Sequence, residues 1–122
     1  MSKSVNDAVL DAAFNEVKNN ATFMTVCSQE PTTRDEAIIT YALADIAVTG
    51  TDFTIGDGVT SGRKMQIAAK NNVPIDASGT ATHIAIVDNT RLLYVTTCTS
   101  QPLISGNEVN FPAWNAEIAD PT

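Results

Sequence analysis

Residues 81–100 read ATHIAIVDNTRLLYVTTCTS and residues 101–122 read QPLISGNEVNFPAWNAEIADPT, and this stretch decides the fold. Two apolar, β-branched runs, 81–87 and 92–99, flank Asp88-Asn89-Thr90, residues that favour a tight turn. Ser105-Gly106-Asn107 marks a second turn. In the closing run 113–118, Trp114, Ala116 and Ile118 alternate with Asn115 and Glu117, the period-two pattern of a half-buried strand. From residue 80 onward the chain reads as a β-meander that holds few reactive side chains.

Working outward, the spacing predicts an amphipathic helix over 4–19. Leu10, Ala13, Phe14 and Val17 fall at i, i+3, i+4 and i+7, flanked by Val5 and Val9. Ser4 stands where an N-cap is expected, Asp7 favours the first turn, and Asn19-Asn20 is a stop. Residues 22–28 are β-rich until Glu30-Pro31-Thr32 breaks them. Thr33, followed by Asp35 and Glu36, then opens a short second helix with Ala37, Ile38, Tyr41 and Ala42 on one side. A strand is expected over 45–49 and a turn over 49–52. Residues 53–55 are too short to assign, and a further strand over 64–69 should end at Asn71-Asn72-Val73-Pro74. The expected fold is α+β, mainly β: an N-terminal amphipathic helix followed by a predominantly antiparallel β-sheet or sandwich. It forms a single domain over 1–122, with the helix at 4–19 and a β-rich body at 22–118.

The 122 residues are 43% hydrophobic and only 6% aromatic, so the core must rely on Ile, Val, Leu and Ala. Seven basic residues against fourteen acidic ones leave a net charge of −7. That balance excludes the clustered Lys and Arg of a nucleic-acid binder and favours solubility or contact with a basic protein surface. No apolar run approaches the roughly 18–20 residues of a membrane span, because Thr40 and Asp45 interrupt the longest, 37–48. The opening MSKSVNDAV lacks the apolar centre of a secretory signal, so the expectation is synthesis and assembly inside a cell.

Each candidate for chemistry has an ordinary structural reading. Residues 56–64, GDGVTSGRK, depart from the G-x-x-x-x-G-K-[ST] phosphate loop. Gly58 and Gly62 are too close, Arg63 precedes Lys64, and Met65 replaces the hydroxyl, so the segment is expected to be a hairpin loop. His83 is the sole histidine and sits in a strand-like run, with no neighbouring ligands for a metal or a triad. Cys27 and Cys98 have no C-x-x-C spacing and are expected as free, buried thiols, with a Cys27–Cys98 bridge or an intermolecular disulfide as the alternatives. Only a fold that brought His83 beside Cys98 would leave a nucleophile–base pair open. Asp35, Glu36, Asp45, Asp52 and Asp57 are scattered and suit caps, turns and surface. The Asn20-Ala21-Thr22 sequon is a chance match, and Trp114, in the apolar corner 110–114, is expected in the core. The residues therefore indicate no enzyme, with no catalytic, cofactor-binding or metal residue.

The segment 82–122, read as THIAIVD, RLLYVTT and ISGNEVNFPAWNAEIADPT, resembles small virion structural proteins of tailed bacteriophages and prophages. The likeness lies in a HIAIVD-type strand, a LLYV-type strand, an SGN-x-V turn and a P-A-W-x-x-E-I ending. It implies a β-rich virion component at the neck or collar, the head surface or the tail, assembled in the host cytoplasm. The implied partners are other virion proteins and copies of itself, with no nucleic acid, membrane, cofactor or small-molecule substrate. It carries over no functional residue. A multimer is expected, threefold or sixfold where the particle sets the symmetry, because an open sheet would otherwise expose a strand edge. The alternative is a β-sandwich binding module at a fibre base that recognises a receptor or glycan. An exposed aromatic platform at Trp114 would favour that alternative, and a buried Trp114 the assembly protein.

Overall fold

The computed structural model describes residues 6–58 and 62–118. Helix α1 spans Asp7–Asn20. Its N-cap is Asn6, whose Oδ1 accepts the Ala8 N–H at 2.8 Å, while Ser4 and Val5 lie outside the described residues. Leu10, Phe14 and Val17 are buried as the spacing requires, but Ala13 and Val9 are exposed, so the buried stripe is narrower than expected. The polar side of α1 is tied down as well. Lys18 Nζ donates to the carbonyls of Gly50 and Phe53, each at 2.7 Å. The Arg63 guanidinium grips Asp11 through two bonds of 2.8 and 3.2 Å, a fork geometry that fixes orientation.

Among the described residues, nine strands form three antiparallel sheets. The first has the order β2-β1-β6-β7, from β1 Phe23–Cys27, β2 Ala42–Ala47, β6 Gly79–Val87 and β7 Leu92–Leu103. The second has the order β3-β4-β9, from β3 Phe53–Asp57, β4 Arg63–Ile67 and β9 Trp114–Ile118. The third pairs β5 Lys70–Pro74 with β8 Glu108–Phe111. A mainly β architecture behind an N-terminal helix is therefore what the chain forms.

Three expectations need correction. Residues 80–122 are not a meander: β6 and β7 pair with each other, but β8 joins β5 and β9 joins β4. The stretch Asn71-Asn72-Val73-Pro74 does not end a strand but lies in β5. A register shift between Lys70 and Val73, with Asn72 at φ 59°, lets that segment bend without losing β8. The strand expected at 45–49 begins earlier, at Ala42, which belongs to β2 and not to the helix before it. That helix does start beside Thr33, whose Oγ1 accepts the Glu36 N–H at 3.1 Å, but over Glu36–Thr40 it is wound as a π-helical turn.

The helix and the three sheets share one core. Phe14 and Val17 meet Met24, Val26 and Ile86 of the first sheet and Phe53, Met65, Ile67 and Ala116 of the second. Val73 and Phe111 join them from the third. Because side chains alternate along a strand, Cys27, Ala85 and Val87 form a second, smaller core on the opposite face, covered by Ala37, Ile38 and Tyr41. The β1 and β6 strands are thus buried on both faces, which explains their near-continuous apolar character.

The β6–β7 turn is held by Asp88. Its Oδ1 accepts the N–H of Thr90 at 2.7 Å and that of Arg91, and its Oδ2 accepts from Arg91 Nε at 2.7 Å. Arg91 also reaches Glu16 on α1 at 2.9 Å. The Thr90 N–H above all, then Arg91, holds the Asp88 carboxyl down at about 2. A depressed carboxylate pKa means that this contribution to stability is complete above the ordinary value of about 3.9 and is lost as pH falls towards 2. Asp88→Asn should therefore flatten the fall in melting temperature across that acid range. An acid limb identical to that of the parent would show that the turn does not depend on the charge.

Candidate docking site

A cleft of about 470 Å³ opens between the β6–β7 pair and the corner where β8 passes into β9. Ile84, Thr96 and Cys98 form one wall, and Phe111, Pro112 and Trp114 the other. None of its lining residues is Asp, Glu, Lys or Arg, although the whole chain carries −7. Threonine hydroxyls and the Gln101, Asn110 and Asn115 amides supply the polar part of the lining. The lining follows from an irregularity in β7: the register shifts between Ala81 and His83, opposite residues 98–100, before pairing with β6 resumes as far as Gly79 and Leu103. Gly106, at φ 94°, then supplies the left-handed residue that lets the chain reverse into β8.

Trp114 is half-buried, with its ring 5.8 Å from that of Tyr94 and tilted by 38°. Both pack against the core. The Trp114 Nε1–H is buried and has no hydrogen-bond partner in the protein. Such a group costs about 1–3 kcal/mol when it is left unmade, so this is a local weakness in an otherwise satisfied wall. Alongside the cleft, β7 pairs with β6 on one side only, and among the described residues no strand pairs with its other edge. Unpaired N–H and C=O groups along such an edge are a template for another strand.

The other sequence candidates are dispersed. Asp57 and Arg63 face each other at the base of the β3–β4 hairpin, and Gly58 N–H donates to the Gly62 carbonyl at 3.0 Å. Positions 59–61 lie outside the described residues. Arg63 is held by Asp57 and Asp11 at 2.7 and 2.8 Å, a structural clamp that leaves it unavailable as a free phosphate ligand. His83 lies opposite Cys27 in β1 and Thr97 in β7, and its Nδ1 is 2.8 Å from Thr82 Oγ1. The residue across from it is thus Thr97, and Cys98 belongs to the main-core side of β7. The two cysteines are free; Cys27 is buried as expected, but Cys98 is only half-buried. Burial pushes the Cys27 thiol up, against a lowering hydrogen bond from Thr25, and burial also pushes up Cys98. Raised thiols are weak nucleophiles at neutral pH.

The carboxylates serve local structure. Glu36 accepts from the Thr32 N–H and hydroxyl at 2.8 and 2.7 Å, which lowers its pKa. Asp52 would be raised by burial, but Lys70, 2.8 Å away, and the Thr49 N–H outweigh this and lower it. Asp45 is raised by burial and by sharing a hydrogen bond with Asp76. Among the described residues no three His, Cys, Asp or Glu side chains are placed to hold a metal ion. Residues 20–22 cross the end of α1 into the loop before β1.

Sequence reasoning placed Trp114 in the core, whereas it is half-buried in the cleft wall, and it missed the cleft because Tyr94, Phe111 and Trp114 come together only through long-range pairing. The signal that could have found it is the absence of any charged residue from 92 to 103. Comparison with known proteins finds no matching family model, no matching curated protein and no matching solved structure.

Proposed function

We propose that the protein is a non-enzymatic structural component of a tailed-phage virion. It acts as a small homo-oligomer that docks on other virion proteins at the neck or collar, the head surface or the tail. The observation that carries this reading is the open outer edge of β7 beside an uncharged cleft. The resemblance over 82–122 supports it, since those residues make up most of β6 and all of β7, β8 and described β9, the elements that build the cleft. The charged side chains add support of another kind: Lys18, Arg34, Arg63, Lys70 and Arg91 are committed to ties within the chain. That leaves shape, backbone edge and the net acidic surface as the means of recognition.

The glycan-binding alternative draws on the hydroxyls, amides and Trp114 of the same cleft. It is the weaker reading because the indole is half-buried with its nitrogen inaccessible, which is a poor platform for stacking a sugar. The test is to purify particles from a host producing the chain and to quantify it in them by mass spectrometry. Several copies per particle are expected, and His83→Ala should leave assembly and infectivity intact. Absence from particles, together with saturable binding to a glycan, would replace this reading with the alternative.

A further inference from the structure

We infer that a second copy of this chain adds to the outer edge of β7, strand against strand in antiparallel sense, so that the four-stranded sheet continues across a two-fold axis into its counterpart. The inference rests on the assembly reading for its biological purpose and on the chemistry of the edges for its location. Six strands end a sheet among the described residues: β2, β7, β3, β9, β5 and β8. Five carry a charged residue, namely Asp45 in β2, Asp57 in β3, Glu117 in β9, Lys70 in β5 and Glu108 in β8. Edge charges are how folded proteins block unwanted strand addition. Only β7, LLYVTTCTSQPL, has no Asp, Glu, Lys or Arg.

Charge also selects the edge that a second copy can use. Two copies each carrying −7 repel when they meet, and an edge bearing carboxylates would set like charges directly opposite one another. The β7 edge avoids this cost, because its outward residues are Thr97, Thr99, Ser100 and Gln101, and the adjoining cleft is uncharged too. An antiparallel strand pair is self-complementary under a two-fold rotation, as an isologous contact demands. Threonines facing threonines across such a pair are favourable. The segment with unbroken register, Tyr94 to Thr97 opposite Ile86 to His83, is the straightest part of the strand. Pro102, which has no N–H to donate, limits the pairing at the other end. A two-fold contact differs from the threefold or sixfold symmetry expected from the resemblance, and makes a dimer the unit from which any larger assembly grows.

The test is analytical ultracentrifugation of the full chain across the micromolar range, with Thr97→Lys/Thr99→Lys as the variant. Both positions are exposed, so the fold should be kept, as circular dichroism and the melting temperature will report. The parent should be dimeric, and dimerisation should strengthen with added salt, because screening removes repulsion while the contact itself is neutral. The folded variant should dimerise at least tenfold more weakly. If the variant does not fold, one cysteine at a time introduced over 95–101 in a Cys98→Ser background, with the buried Cys27 kept, should give an oxidised covalent dimer that peaks at one position, the site of the two-fold axis. A parent that stays monomeric, a folded lysine variant that dimerises unchanged, or a scan without a crosslinking position would each overturn the inference. A dimeric parent missing from particles would instead sink the virion reading and leave this contact standing.

Discussion

Replacing Phe14 with alanine is expected to lower the unfolding free energy by about 3–5 kcal/mol, the usual cost of removing a fully buried phenylalanine ring. Phe14 is 4% exposed and sits in the shared core, with Val17 one turn further along α1. The helix cannot close the gap by sliding, because Lys18 is bound to the Gly50 and Phe53 carbonyls and Arg63 grips Asp11. An anchored helix leaves most of the cavity unfilled, which argues for the upper part of that range. Val9→Ala is the control: Val9 is 63% exposed, so its loss should stay within about 0.5 kcal/mol. Urea denaturation of the two variants decides the matter. A loss below about 1 kcal/mol for Phe14→Ala would mean that α1 is peripheral and available to a partner.

Phe111→Ala should cost a similar amount, about 3–5 kcal/mol, and should also reshape the cleft. Phe111 is 3% exposed, lies opposite Lys70 at the end of the β5–β8 pair, and is at once part of the core and a wall of the cleft. Its removal joins a new cavity to an existing opening, so water can reach the indole side of the wall. Trp114 is the single tryptophan, and its fluorescence reports this directly. The expected result is a lower unfolding midpoint together with a red-shifted native emission. A stability loss below about 1 kcal/mol with unchanged emission would show that β8 is a loose flap rather than a wall.

The sequence conveys local order well and long-range order poorly, for reasons visible at particular residues. The stripe Leu10, Phe14, Val17 is legible because the helical period is written in side chains that all face one core. Trp114, Ala116 and Ile118 are legible because β9 has one buried and one wet face. By contrast β5 carries Asn71, Asn72 and Pro74, which read as breakers, and holds together only because Asn72 takes a positive φ and its N–H is received by Asn110 Oδ1 at 2.8 Å. β8 is four residues long and ends before Pro112, too short for alternation to register. The choice of partner for each strand is not in the local pattern, so residues 80–122 read as a meander when three of their four strands pair far back in the chain. The cleft fell out of view for the same reason. That the sheet would leave an open edge was legible, and the strand that offers it was not.

The pairing of β4 with β9 sets Arg63 beside Ile118 and Ile67 beside Trp114, and the pairing of β1 with β6 sets Phe23 beside Val87. The sheets are therefore stitched together by contacts between residues made at very different times. As the chain leaves the ribosome, β1 can find β2 at once, but its other edge waits for β6, and the second sheet stays one strand short until residues 114–118 have emerged. Loops of this length close slowly and give back free energy only when they shut, so folding is governed by topology more than by the strength of any one strand. Until β9 docks, β4 presents an open edge carrying Arg63 and Lys64. Arg63 is tied to Asp11 and Asp57, so Lys64, which meets Glu117 once β9 docks, is the charge of the kind that discourages strand addition at that edge.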